Sequence, residues 1–367
     1  MGLHALLDGA GVVVCCGPGG VGKTTTAAAL GVEAARTGRR VVVVTIDPAR
    51  RLADALGLPE GLGPEPSRID LQRPDVGTPH AGELWAMMLD PAVAFTDVVR
   101  RNAAGEEQAD RILTNAFFRN MVTSLSGTQE YMAAETLHQL HHDGRFDLVV
   151  VDTPPTRDAL EFLEAPGVLA RFLDHRLFRL LMLPTHRGMR VVGFATQPVL
   201  RAIGRIVGSA VLADAVAFFQ AFAGMEGGFR QRAGDIVALL RSDRTRFVVV
   251  TAPRHEAVTE AVWFAAQLAD QGVERAGVAG VVNRLHPAFG AGTAADARVA
   301  AGGAADDRLR ALWCNLAELR EAREAELAQV ATFTEHFDGQ GVVEIPLLAG
   351  DVHDRDGLAH VGHYLFA

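Results

Sequence analysis

Residues 14–27, VCCGPGGVGKTTTA, put Gly17, Gly22, Lys23 and Thr24 on the spacing G-x-x-x-x-G-K-[ST], which is that of a phosphate-binding loop. Glycines at 17, 19, 20 and 22 let the backbone curl until its N–H groups face inward on an anion. A helix starting near Lys23 adds its positive end. The expected nucleotide contacts on the loop are Gly19, Gly20, Val21, Gly22, Lys23, Thr24 and Thr25. Lys23 reaches the β- and γ-phosphates of ATP, Thr24 offers its hydroxyl to Mg²⁺, and Thr25 suits the α-phosphate. Lys23 is also the only lysine among 35 basic residues. The other basic positions are arginine, so lysine stands only where a compact ammonium is needed and a planar guanidinium does not serve.

Two carboxylates complete the candidate chemistry. Asp47, in TIDPARRLADALG (residues 45–57), follows an apolar run and falls on the side of an open α/β sheet where ligands bind. It can orient or deprotonate an attacking water, or it can simply cap the helix that follows Pro48. Asp152 ends the apolar run of DLVVVDTPPTRDALEFLEAP (residues 147–166), in the manner of a Walker B strand whose carboxylate accepts from metal-bound water. Pro154 and Pro155 preclude regular helix directly after it, leaving residues 153–157 as a loop free to switch. Lys23, Asp47 and Asp152 are thus the catalytic candidates, and Thr24, Asp47 and Asp152 the candidate metal set.

The elements that position these groups follow from apolar periodicity. Short β-branched runs at 12–16, 41–46, 84–89, 148–151, 247–251, 278–282 and 342–345 predict strands. Several are continuously apolar, as strands covered on both faces are. Stretches with helical spacing lie between them, which predicts an α/β fold with a doubly wound, mostly parallel sheet. Residues 57–82 and 286–305, rich in Gly, Pro and small residues, read as long surface connections. Two apolar helical regions, about 91–144 and 167–240, interrupt the rhythm and predict an all-helical subdomain inserted in a single domain of residues 1–367. The second includes LARFLDHRLFRLLML (169–183) and a stripe at Leu212, Val216, Phe219, Phe222, Met225 and Phe229, with Phe218 beside it. Such a stripe is core by default. Alternatively it lines an apolar groove for a client segment, and the quantity of apolar helix favours that reading.

Composition narrows the classes. A net charge of -9 argues against a dedicated nucleic-acid binder. Three cysteines form no disulfide framework, and no run of about 18 apolar residues lacks a charge, which fits a soluble chain in a reducing cytoplasm. The histidines at 138, 141, 142, 353, 360 and 363 fall into no recognisable metal-ligand pattern with carboxylates or cysteines in the sequence and read as ordinary surface residues.

GGVGKTTTA, TIDPARRLADALG, VVDTPPTRDALEFL, VVNRLHP and IPLLAGDV occur in the order and approximate spacing of the arsenite-pump and guided-entry (tail-anchored protein targeting) ATPase family. The chain resembles that family of P-loop proteins from about residue 11 to 358. The resemblance implies a first switch with a catalytic role at Asp47, a second switch starting at Asp152, adenine contacts by Asn283, and a base-covering loop around Pro346 to Leu348, with Pro346 and Leu347 as contacts. Asn283, at a strand end, could equally be a turn former.

The resemblance also implies a homodimer, or a heterodimer with a paralogous ATPase, and a hydrophobic client segment or membrane protein as partner. Departures matter as much. Three cysteines, two adjacent inside a strand, make no soft metalloid site, and there is no C-x-x-C to hold zinc between subunits. Pro18 stands where the family commonly has a lysine that reaches the other subunit's phosphates. Three functions follow: an ATPase whose nucleotide state opens and closes a client groove, a positioning ATPase of the ParA/MinD kind, and a weakly active subunit completed by a partner. The ending DRDGLAHVGHYLFA carries little positive charge for a membrane-seeking tail, which disfavours the second.

Overall fold

The computed structural model describes residues 3–47, 49–71, 82–124, 128–155, 159, 161–167, 209–337 and 341–366. Its strands are β1 (Val12–Cys16), β2 (Arg40–Thr45), β3 (Ser67–Ile69), β4 (Glu83–Met88), β5 (Leu148–Asp152), β6 (Thr245–Thr251), β7 (Val278–Leu285) and β8 (Val342–Pro346). Helices α1 (Leu3–Leu7), α2 (Lys23–Arg36) and α3 (Arg51–Ala55) precede the first interruption. It holds α4 (Pro91–Asn102), α5 (Glu106–Leu113), α6 (Ala116–Ser124) and α7 (Thr128–His142). The second holds α8 (Ser209–Phe222) and α9 (Glu226–Leu240). Beyond it come α10 (His255–Asp270), α11 (Ala294–Gly302), α12 (Asp307–His336) and α13 (Arg355–Phe366).

Strand order in the eight-stranded sheet is β3-β4-β2-β5-β1-β6-β7-β8. Every pairing is parallel except β3 with β4. The fold is therefore doubly wound: the chain leaves β1 toward β2 on one side and returns to lie at β6 on the other. Ligands of such sheets bind at the carboxyl ends of the strands near that reversal. The central strands are buried throughout, as their continuous valines require, and the two adjacent cysteines of β1 pack there as small apolar groups. The core lies between the sheet and helices that include α2 and α13, which pack on each other.

Two expectations need correction. The stretch 57–82 is not wholly a connection: Ser67–Ile69 adds an antiparallel edge strand to β4, with Ser67 opposite Ala86, while residues 72–81 lie outside the described ones. Three residues among prolines give too short a run for periodicity to register. The stretch 286–305 contains α11, started by a capping box in which Thr293 and Asp296 bond each other's backbone. Its small residues masked the helix, although T-x-x-D was there to be read.

Contacts divide the chain into two compact units. One comprises Met1–Leu89, Leu140–Leu160 and Arg241–Ala367 and carries the sheet; the other comprises Asp90–Gln139 and Glu161–Leu240. In the helical unit, Phe218, Phe219, Phe222, Met225 and Phe229 are buried, and Phe218 stacks on Phe118 with ring centroids 5.7 Å apart. These members of the stripe are core. The segment LARFLDHRLFRLLML lies outside the described residues. An ion pair with a buried carboxylate crosses the same unit, with the half-buried Arg232 donating from Nη1 to Glu135 Oε1 at 2.9 Å. No helix among the described residues is long and apolar enough to cross a membrane.

Candidate active site

Register brings the chemistry together. In the parallel pairings Cys15 and Thr45 both lie beside Asp152, so the ends of β1, β2 and β5 meet at one edge. The loop 17–22 turns over that edge. Gly17, with φ of 139°, passes so close to β6 that a Cβ would sit 2.1 Å from the Val250 carbonyl oxygen. Gly22, with φ of 96°, is the N-terminal cap of α2 and makes no side-chain cap, which leaves the first N–H groups of the helix facing the loop.

Lys23 is only 7% exposed, and its Nζ donates to the Pro18 carbonyl at 2.9 Å. Burial lowers its pKa, while the neighbouring Asp152 opposes the shift. Thr24 Oγ1 donates to Asp152 Oδ2 at 2.9 Å, and Thr45 Oγ1 donates to the same oxygen at 2.9 Å. Asp152 is 1% exposed, and its other oxygen, Oδ1, is buried without a hydrogen-bond partner among the described residues. Desolvation pushes this carboxyl up to about 6, against the two threonine hydrogen bonds and Lys23 that favour its charged form.

That orphaned oxygen tests the fit of a divalent cation. A buried acceptor with nothing donating to it is costly, and a metal or a metal-bound water would satisfy it. Hydroxyl and carboxylate oxygens are the hard donors Mg²⁺ takes. Thr24 and Asp152 therefore fit the group.

Asp47 lines the same cavity, which has a volume of about 330 Å³ and is also walled by Gly19, Gly20, Gly22, Lys23, Thr24, Thr25, Thr153 and Pro155. Its Oδ1 accepts from the Ala49 N–H at 2.9 Å, and its Oδ2 lies 3.3 Å from Arg51 Nη1. The expectation that Asp47 caps the following helix needs correction: the N-terminal cap of α3 is Arg50, with no side-chain hydrogen bond, and the two-residue reach of Asp47 to Ala49 closes a turn ahead of the helix. Thr45 ties the two carboxylate segments together, since its hydroxyl accepts from the Asp47 N–H at 3.3 Å while donating to Asp152. Pro48 and residues 156–158 of the candidate switch loops lie outside the described residues.

Not every expected contact reaches the cavity. Val21, Asn283, Pro346 and Leu347 are not among its lining residues. Asn283 Nδ2 donates to the Val21 carbonyl at 2.8 Å, bracing the loop. Asp351, Val352 and His353 also line the cavity, together with Arg284. Neither Thr45 nor Arg284 was singled out by sequence reasoning. Thr45 carried a signal, a hydroxyl ending an apolar strand next to Asp47. Arg284 carried none.

Comparison with known proteins agrees with this geometry. Residues 10–295 match the family described as anion-transporting ATPase, of the ArsA type. Among curated relatives, a protein named ATPase GET3 from Ajellomyces dermatitidis is 33% identical over 162 residues, which is 43% of this chain and 43% of that protein. Its namesake from Malassezia globosa is 30% identical over 161 residues, 44% of each chain. That from Aspergillus niger is 33% identical over 162 residues, 43% of each. The matched stretch thus spans less than half the length of these curated relatives. With the family match covering most of its length, the chain belongs to the ArsA-type anion-transporting ATPase family.

Proposed function

We propose that this chain binds Mg²⁺ and ATP in the cavity over residues 17–25 and hydrolyses the nucleotide. The observation that carries this reading is the buried Asp152 carboxylate at the end of β5, held on one oxygen by Thr24 and Thr45 and orphaned on the other, beside a loop whose lysine is already turned inward. Bound Mg²⁺ would supply charge neutralisation on the phosphate oxygens. The residues do the rest. Loop N–H groups and the start of α2 cradle the phosphates. Lys23 exchanges the Pro18 carbonyl for a phosphate oxygen, and Thr24 and Asp152 are the metal-binding pair. Asp47 is the candidate to orient the attacking water, since a carboxylate oxygen accepts more than one hydrogen bond and its Oδ2 can do so while keeping Arg51.

The finer reading is that nucleotide state governs a hydrophobic client segment, in a dimer, through the helical unit. Thr45 supports it, because one hydroxyl joins the backbone at Asp47 to the carboxylate of Asp152, so displacing either segment is felt by the other. Linkage then requires that nucleotide and client change each other's affinity by the same factor. A second reading rests on Pro18, which is buried and carries no side chain able to reach another subunit's phosphates. On that reading the isolated protein turns over slowly and a paralogous partner completes the site.

The test is phosphate release from ATP together with binding of a hydrophobic peptide in ATP, ADP and nucleotide-free forms. Mg²⁺-dependent release and unequal peptide affinities are expected. Absence of nucleotide binding would sink the ATPase reading, and equal peptide affinities in all three forms would sink the coupling alone.

A further inference from the structure

Arg284 is the one non-glycine residue with positive φ among the described residues, at 63°. Glycine adopts that conformation without strain, and an arginine there is held against its preference. The cause lies in the pairing of β7 with β8. Asn283 is opposite Ile345, and Leu285 is opposite Pro346, so Arg284 is an extra residue bulged out of a parallel ladder. Successive side chains of a strand normally point to opposite faces. Across this bulge they do not: Asn283 donates to the Val21 carbonyl at 2.8 Å, and Arg284 Nη1 donates to the Gly20 carbonyl at 3.3 Å.

The bulge is held from behind. Glu326 Oε2 accepts from the His286 N–H at 2.7 Å, and the Leu285 carbonyl accepts from the Leu347 N–H at 2.7 Å. Arg284 lines the cavity and makes no ion pair with any described residue, whereas Arg51, which also lines it, is committed to Asp47. A triphosphate met by one divalent cation and one ammonium keeps a negative charge uncovered.

The geometry points to Arg284 as a second phosphate cation of this site, aimed by the bulge and leaving its long bond to Gly20 for a phosphate oxygen of the nucleotide. The assignment rests on the reading of the cavity as a nucleotide site. It gives the strain a purpose: the chain keeps an unfavourable backbone so that a guanidinium faces the loop.

The competing explanation is that Arg284 only braces Gly20. A glutamine separates the two, because its amide can donate to a carbonyl but carries no charge. Binding of fluorescent ATP is measured for the wild type and for Arg284→Gln, Arg284→Ala and Arg284→Gly, with inorganic tripolyphosphate and adenosine as competitors. All three variants are expected to bind ATP and tripolyphosphate more weakly by about tenfold or more, with adenosine unaffected. Arg284→Gly is also expected to melt at a higher temperature without ligand, since it relieves the strained φ. Wild-type affinity in Arg284→Gln would overturn the assignment in favour of a brace. A loss confined to ATP and adenosine would overturn it in favour of base contact. If the wild type bound neither ATP nor tripolyphosphate, the nucleotide reading itself would fall and this assignment with it.

Discussion

Lys23 Nζ donates to the carbonyl of Pro18 at 2.9 Å, so the chain's only lysine is held by the residue that interrupts the glycines of its own loop. The carbonyl spares a nearly buried ammonium from having no partner before a phosphate arrives. Lys23→Ala is therefore expected to weaken ATP binding by about 10²-fold, the loss of a charged hydrogen bond in a dry site. Lys23→Arg should recover little, because a guanidinium does not fit a slot shaped for a compact head. Titration with a fluorescent nucleotide decides this, and wild-type affinity in Lys23→Arg would contradict the account.

Pro18 bears on rate rather than on binding. Steady-state phosphate release should be slow in the isolated wild type and rise at least about tenfold in Pro18→Lys, if a cation presented to another subunit is what the site lacks. Brisk wild-type release with no gain in the variant would refute the idea.

Asp152 predicts a pH dependence whose sign is opposite to that of a surface carboxylate. Its native pKa of about 6 lies above the unfolded value of 3.8, so between those values the native state holds a proton that the unfolded state has released. Stability of the metal-free protein should fall as pH rises from about 4 to 6, by at most about 3 kcal/mol from this group. Asp152→Asn should flatten that slope. Denaturant midpoints across the pH range measure it, and an identical slope in the variant would remove the group from the account. Metal binding should weaken below about pH 6, because ligation needs the carboxylate.

Much of this was legible from residue order. The central strands announced themselves as continuous valine runs, and Lys23, Thr24 and Asp152 followed from spacing alone because a loop, a helix start and a strand end are local features. What escaped notice depends on pairing at a distance. The role of Arg284 comes from a bulge between β7 and β8, and nothing in the letters N-R-L signals a left-handed backbone. The brace from Asn283 to the Val21 carbonyl likewise joins residues far apart in the chain, which no local pattern announces.

Gly17 offers a test of the loop's foundation. Its φ of 139° is outside the range side chains favour, and a Cβ would meet the Val250 carbonyl oxygen at 2.1 Å. Gly17→Ala should cost roughly 2–4 kcal/mol by urea denaturation, because backbone on both sides must move. An unchanged midpoint would mean that the loop is not anchored on β6 as described.

The central claim is that Lys23, Thr24 and Asp152 converge on a magnesium–nucleotide site. Calorimetric titration of the wild-type protein with ATP, once with Mg²⁺ and once with a chelator, tests it most directly. The account predicts saturable binding that weakens about tenfold or more when the metal is withheld, because Asp152 Oδ1 is then left buried and unsatisfied beside the phosphates. No saturable heat, or equal affinity under both conditions, would contradict it.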